Sequence, residues 1–395
     1  MYLKQLQYIP RTLMPNVKSL SYSAASKTYF LQHTESEKRS QWLKWQSSNF
    51  HTTQTLCISP DVAVVTCVSL QFCSCISASF LRRWWLHLTA DQQQEYKRWF
   101  WKRKIQIFGS LGVFSSVLIV YYLTHIENDP VLQQPRFIIF DKSERVAFGQ
   151  IVLTMLRIKH QSNLLPMNDP RYSQLQRILQ NMMNANKEVF ANTHWTLSIV
   201  DAPSVNALVL PGGHIFVYSG VFDIAQSDDQ IAFILAHELS HIFLLHTFEL
   251  YSYVLLKEFV FSIPWFLIWF YFSKWKAVML CSSLKFLCWI TLLNPYQRGL
   301  EIEADAQAFE IVAKSCIDIR EIIQFWKLME IFNNINGKEI FEMQFLKTHP
   351  SHKERAELLT RLLPKAMELR RQANCPKLPL KDFRRNTLRV PLFMF

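Results

Sequence analysis

The sequence predicts an α+β fold, mainly helical, with a small sheet and an amino-terminal transmembrane helix. Three observations carry this reading. Residues 105–124 run for 20 residues without a charge. Short alternating apolar segments at 195–200, 208–210 and 215–218 are set apart by turn residues, as strands are. Around them lie helical stretches that open on capping residues, the two clearest at 227–246 and 294–305. On this basis the chain divides into four parts. Residues 1–95 hold an import segment and a poorly structured region, and 96–130 an anchor with its flank. Residues 131–375 form a globular domain, and 376–395 a tail.

The amino-terminal part is basic. Residues 1–34 carry Lys4, Arg11, Lys18 and Lys27, and the first acid is Glu35. The seven-residue spacing of the first three keeps them on one helical face. No compact apolar stretch follows, so the segment reads as a mitochondrial import signal rather than a secretory one. Val62 to Leu81 lacks charge but is diluted by Ser, Thr, Gln and Cys, and a second span there stays open.

The net charge of +12 raises the question of nucleic acid. Arg82, Arg83, Lys97, Arg98, Lys102, Arg103 and Lys104 are interleaved with Trp84, Trp85, Trp99 and Trp101, which could stack on bases. The same cluster describes the basic and aromatic flank of a membrane helix, and it abuts the apolar run. We therefore expect lipid and no nucleic acid as the partner. Ile105 to Thr124 is long enough to cross about 30 Å of hydrocarbon. Basic residues precede it, and Glu127 and Asp129 follow, which places everything after residue 125 across the membrane from the import side. The eight cysteines show no paired CxxC spacing, so neither a disulfide framework nor a thiolate metal site is expected. Cys375, in a polar stretch, reads as an exposed thiol.

The chemistry is concentrated in SDDQIAFILAHELSHIFLLH at 227–246. Ser227 and Gln230 match a capping box, and Asp228 and Asp229 suit the positive end of the helix dipole. On that helix His237 and His241, four residues apart, share a face and can bind one ion, with Glu238 beside them to act on its water. A third ligand is needed. Leu244 and Thr247 stand where a third-histidine motif would require Gly and His. His246 lies five residues past His241, off the metal-binding face, and reads as structural.

A carboxylate from NPYQRGLEIEAD at 294–305 fits better. Asn294, Pro295 and Gln297 predict a capped helix start there. Glu301 and Asp305 share a face. Two His and one Glu leave one position of a zinc ion open, the arrangement of a catalytic rather than a structural site. Asp305 would orient a ligand histidine from behind, and Glu303 points elsewhere. In THPSHKER, His349 or Arg355 could donate to an oxyanion, or the segment is a surface turn opening the final helix. The strand edge at Asn206–Gly213 could pair with an extended substrate or be ordinary core.

About 60 residues separate His241 from Glu301, and much of that insert is apolar. Phe259 to Phe272 and Ala277 to Leu293 are short for clean crossings, so a membrane-associated hairpin at about 254–293 is expected, with a buried lid as the alternative.

Taken together, HELSH, EIEAD, NALVLPGGHIFVYSGVF and THPSHKER resemble the zinc metallopeptidases that include HtpX and the CAAX prenyl protease. The resemblance covers about residues 131–375, and the single amino-terminal span matches the mitochondrial inner-membrane branch. It implies a gluzincin-type zinc peptidase domain with one Zn²⁺ per subunit, held by His237, His241 and Glu301. It also implies Glu238 as catalytic base and His349 and Arg355 as a pair assisting the transition state. By the same resemblance the chain is a stress-activated, homo-oligomeric endopeptidase anchored once in the mitochondrial inner membrane, its catalytic domain facing the intermembrane space. Its substrates would include the dynamin-related inner-membrane fusion GTPase. Two other readings stay open: a CAAX-type prenyl-protein protease, which should carry more full spans, and an inactive zinc-binding membrane scaffold.

Overall fold

The structure, a computed structural model, describes residues 60–191, 193–335 and 350–380. The import segment, His349 and the end of the tail lie outside them.

Two long helices come first. Helix α1, Pro60–His87, contains the uncharged Val62 to Leu81 stretch, and α2, Ala90–Thr124, contains the expected anchor. A Thr89–Gln92 capping box starts α2, whose residues are buried nowhere along its length. A helix that is apolar over its second half and buries no residue among the described ones has the character of a lipid-facing segment. Strands β1 (Ile126–Asn128) and β2 (Pro135–Phe137) then form an antiparallel hairpin.

The globular part follows. Helix α3 spans Lys142–His160, α4 Pro170–Ala185 and the short α5 Lys187–Phe190. The three-stranded sheet has the order β3-β5-β4, with β3 at Thr196–Val200, β4 at Ala207–Leu210 and β5 at His214–Tyr218. β3 runs parallel to β5 and β4 antiparallel to it, through the turn at Gly212 and Gly213, both at positive φ. Helix α3 lies on the sheet: Val152 and Leu153 pack with Val200, Leu208, Leu210, Phe216 and Tyr218. Its Gly149 sits so close to Pro211 that a Cβ there would fall 2.0 Å from the Pro211 carbonyl oxygen. Helix α6 (Gly220–Ile224) leads into α7 (Asp228–Phe243).

Helix α8, His246–Tyr271, is followed after Phe272 and Ser273 by α9, Lys274–Cys288, a π-turn at Trp289–Leu293 and α10, Asn294–Lys314. The chain ends in α11 (Ile319–Ile335) and α12 (His352–Gln372). Helix α1 packs along α8, α7 along α10, and α12 along both α10 and α11. Among the described residues, three helices are long and apolar enough to cross a membrane: α2, α8 and the continuous 274–314 helix. Polar atoms between the apolar helices are matched to each other. Gln71 of α1 donates to Glu258 of α8 and accepts from Lys285 of α9.

Two expectations are corrected. Asn294 does not start a helix: it is helical itself (φ −63°, ψ −47°), fully buried, and continues out of the π-turn. Pro295 lacks the N–H that an uninterrupted α-helix would bond there, and a local π-turn is a common way to absorb such a mismatch. Cys375 is not an exposed thiol. It forms a disulfide with Cys316, at a Cα separation of 5.2 Å and 59 residues away in sequence. Only the packing of α12 on α10 brings the two together, so local spacing gave no sign of it.

Candidate metal centre

Helix α7 presents the first two candidate ligands. Ser227 caps it, its hydroxyl accepting from the Gln230 N–H at 3.4 Å. The reciprocal bond of a capping box is made one residue earlier, with Gln230 Oε1 accepting from the Gln226 N–H at 2.9 Å. Asp228 takes Gln174 and Arg177 of α4, and Asp229 accepts from the Asp318 N–H. The helix is thereby held at its start, and its far half, including His237, Glu238 and His241, is buried.

Helix α10 supplies the third. His237 Nε2 and His241 Nε2 stand 3.2 Å apart. Glu301 places one oxygen 3.5 Å from His237 Nε2 and the other 3.4 Å from His241 Nε2. Ligands at about 2.0–2.1 Å from one tetrahedral ion are separated by about 3.3 Å, so these three side chains fit a single metal. His237, His241 and Glu301 are, among the described residues, the group of His, Cys, Asp and Glu side chains close enough to share an ion.

The outer nitrogens are held as well. His237 Nδ1 lies 2.9 Å from Asp305 Oδ1 and 3.3 Å from Arg355 Nη2. An Nδ1–H can donate only to the carboxylate, so the shorter contact is the hydrogen bond and the arginine is a neighbour. Arg355 is fixed by donating Nε–H to Asp305 at 2.7 Å, with a second bond from Nη2, and its guanidinium lies 3.8 Å above the Trp326 ring. Its buried Nη1 has no hydrogen-bond partner among the described residues. A Ser351–Glu354 capping box starts α12 and so sets where Arg355 enters the site.

Electrostatics follow from this packing. Burial pulls the His237 imidazole down, but the carboxylates of Asp305 and Glu301 outweigh it and lift its pKa to about 9. Burial raises the Glu238 carboxyl to about 8, against the pull of His237. Burial works against the Asp305 carboxylate, yet Arg355 and His237 hold it below the ordinary range. Glu238 also lines a narrow cavity with His241, Phe148, Leu208, Val209, Leu210, Pro211, Ile242 and Thr247, which joins the carboxylate to the β4 edge.

Of the residues singled out in the sequence, the structure thus gathers His237, Glu238, His241, Glu301, Asp305 and Arg355, while His349 is outside the described residues. His246 and Glu303, read as bystanders, are in the cluster: His246 Nδ1 lies 3.1 Å from His241 Nδ1, and its Nε2 lies 3.2 Å from Glu303 Oε2. Five residues along an unbroken helix would put His246 about 140° away from His241. But α7 ends at Phe243, and Leu245, at φ 58°, turns the chain back.

Comparison with known proteins agrees with this centre. Residues 170–363 match the profile of Peptidase family M48. The zebrafish (Danio rerio) protein named metalloendopeptidase OMA1, mitochondrial, is 31% identical over 321 residues, covering 76% of this chain and 64% of its own length. Its human (Homo sapiens) namesake is 30% identical over 339 residues, covering 85% of this chain and 64% of its own. The mitochondrial metalloendopeptidase OMA1 of Saccharomyces cerevisiae is 28% identical over 283 residues, with 68% and 76% covered. The chain therefore spans 64% of the length of each vertebrate relative. Residues 170–363 thus carry the match to Peptidase family M48, and the two-histidine, one-glutamate centre built by α7 and α10 lies within them.

Proposed function

We propose that the protein is a zinc-dependent endopeptidase of the mitochondrial inner membrane. The observation that carries this reading is the convergence of His237, His241 and Glu301 on one point, with the Glu238 carboxyl buried beside them. A bound Zn²⁺ would supply Lewis acidity toward a water and a scissile carbonyl. A donor set of two neutral imidazoles and one carboxylate suits that ion and leaves a position open.

The remaining chemistry belongs to the chain. Glu238 takes the proton of the attacking water and returns it to the leaving amine, a transfer its carboxylate makes once a nearby cation has offset the burial that raises its pKa. Asp305 fixes the Nδ1–H tautomer of His237, so that Nε2 keeps its lone pair for the ion. Arg355, whose Nη1 has no partner among the described residues, and His349 are the donors proposed for the developing oxyanion. The edge strand β4, beside Glu238, is the surface against which an extended peptide would pair.

The relatives' names support a mitochondrial location, and the apolar helices support a membrane one. In our reading α2 crosses once, and α8 and α9 form a hairpin that holds the site against the bilayer. The catalytic domain then faces the intermembrane space. The Cys316–Cys375 disulfide supports that side, since disulfides persist in oxidising compartments. Substrates would be proteins in or near the inner membrane, the dynamin-related fusion GTPase among them, and the working form a homo-oligomer.

The test is Glu238→Gln. Zinc content should stay at one per chain while peptide cleavage falls by about 10²–10⁴-fold. Equal cleavage by the variant and the wild type would refute the mechanism.

A further inference from the structure

The two ligand histidines are backed differently. Behind His237 stands a carboxylate and then an arginine, Asp305 and Arg355. Behind His241 the same pattern appears one residue longer. His246 Nδ1 lies 3.1 Å from His241 Nδ1, His246 Nε2 lies 3.2 Å from Glu303 Oε2, and Glu303 Oε1 accepts from Arg136 Nη2 at 3.0 Å. His246 is fully buried, and Arg136 is 4% exposed. Glu303 and Asp305 flank the same helix turn as the ligand Glu301, so α10 contributes one ligand and the backing of both histidines.

Hydrogen-bond chemistry allows one assignment of this chain. His241 must offer the Nε2 lone pair to an ion, so its proton sits on Nδ1 and is donated. His246 Nδ1 must then be an acceptor, which puts its own proton on Nε2, donated to Glu303. Glu303 is held in turn by Arg136. The chain continues past the centre: Arg136 also donates to Glu249 of α8 at 2.6 Å and to Asp129 at 3.2 Å, and Tyr296 of α10 donates to Glu249 at 2.6 Å. Arg136 therefore ties together the segment that leaves α2, the first leg of the apolar hairpin and the helix that follows its second leg.

We propose that His246, Glu303 and Arg136 are positioning residues for metal binding. They fix the His241 imidazole from behind, and they anchor it to the junction where the apolar helices leave the peptidase domain. This rests on the reading of His237, His241 and Glu301 as a metal site. Loss of partners behind a ligand histidine typically costs 10–100-fold in metal affinity. His246 is thus more than a buried side chain filling space, and its effect should be visible at the ion.

The experiment uses the full chain in detergent or nanodiscs. Zinc affinity is measured by competition with a chromogenic chelator for wild type, His246→Phe, His246→Asn and Asn186→Ala. The last is a control for loss of a buried polar group far from the centre, where Asn186 bonds Ser315 and the Ile311 carbonyl. Absorption of the Co²⁺-loaded protein reports ligand geometry independently. We expect His246→Phe, which keeps a ring and loses both bonds, to weaken zinc binding by 10–100-fold and to change the cobalt spectrum. His246→Asn, with an acceptor oxygen near the lost Nδ1, should recover most of that loss, and Asn186→Ala should match wild type. Zinc affinity of His246→Phe within twofold of wild type, an unchanged cobalt spectrum, or a loss no larger than that of Asn186→Ala would each overturn the proposal. Failure of the wild-type chain to bind zinc would instead overturn the metal site itself.

Discussion

At the scale of single residues, the centre is an arrangement in which protons and a cation compete for the same atoms. With no ion bound, His237 holds a proton up to about pH 9, because Asp305 and Glu301 surround it, and Glu238 holds one up to about pH 8, because it is buried. Both pKa values lie above those of the unfolded chain. At these two groups the metal-free fold binds more protons than the unfolded chain, so their contribution to stability falls as pH rises toward 9. The depressed His160 and His214 act the other way only near and below their ordinary value of 6.5. The contribution of His237 is complete below its ordinary value of 6.5 and gone above about 9. We predict that metal-free protein loses melting temperature from about pH 7 to 9, and that added zinc reverses the trend because loading expels the proton from His237. A flat profile without metal would mean that these groups are not packed together as described. The pairing of Asp305 with His237 could be anticipated from EIEAD, because four-residue spacing on a helix is a local rule. That of Glu303 with His246 could not, because it depends on the left-handed turn at Leu245.

At the scale of elements, α7 and α10 matter most, and each was legible to a different depth. Ser227 announced the start of α7 and the alternation at 195–218 announced the sheet, since caps, turns and side-chain periodicity act over a few residues. The beginning of α10 misled, because Asn294 and Pro295 have the chemistry of a helix start but sit inside a continuous helix that arrives from α9. The Cys316–Cys375 bond was invisible for a similar reason: it joins the ends of α10 and α12, which meet only in the folded domain. Closing a loop of 59 residues restricts the unfolded chain, and loop entropy puts the effect at about 4 kcal/mol, with measured bonds more often at about 2–4. Replacing both cysteines by serine should lower the unfolding free energy by about 2–4 kcal/mol, measured by denaturant titration. Loss of less than about 0.5 kcal/mol would show that α10 and α12 stay docked without the bond and that it contributes little. Because Arg355 enters the centre from α12, the bond also bears on how steadily that guanidinium is held.

At the scale of the whole molecule, the apolar helices and the centre are one construction. Helix α8 begins at His246, behind a ligand, and runs into the hairpin; the chain returns through α9 and the π-turn into α10, which carries Glu301. A ligand helix that emerges from the hairpin must move when the hairpin moves, and Arg136 adds a second tie at the same junction. Composition foretold the membrane, and the motifs foretold the chemistry. Their continuity was hidden, since it is made by a break at Leu245 and by the lack of one at Asn294. All of it depends on a single cation between α7 and α10. Anomalous diffraction at the zinc absorption edge, from crystals of the full chain, tests that directly. One peak per chain is expected, about 2.0–2.2 Å from His237 Nε2, His241 Nε2 and a Glu301 carboxylate oxygen. A peak elsewhere, or none among these three side chains in zinc-saturated crystals, would contradict the account.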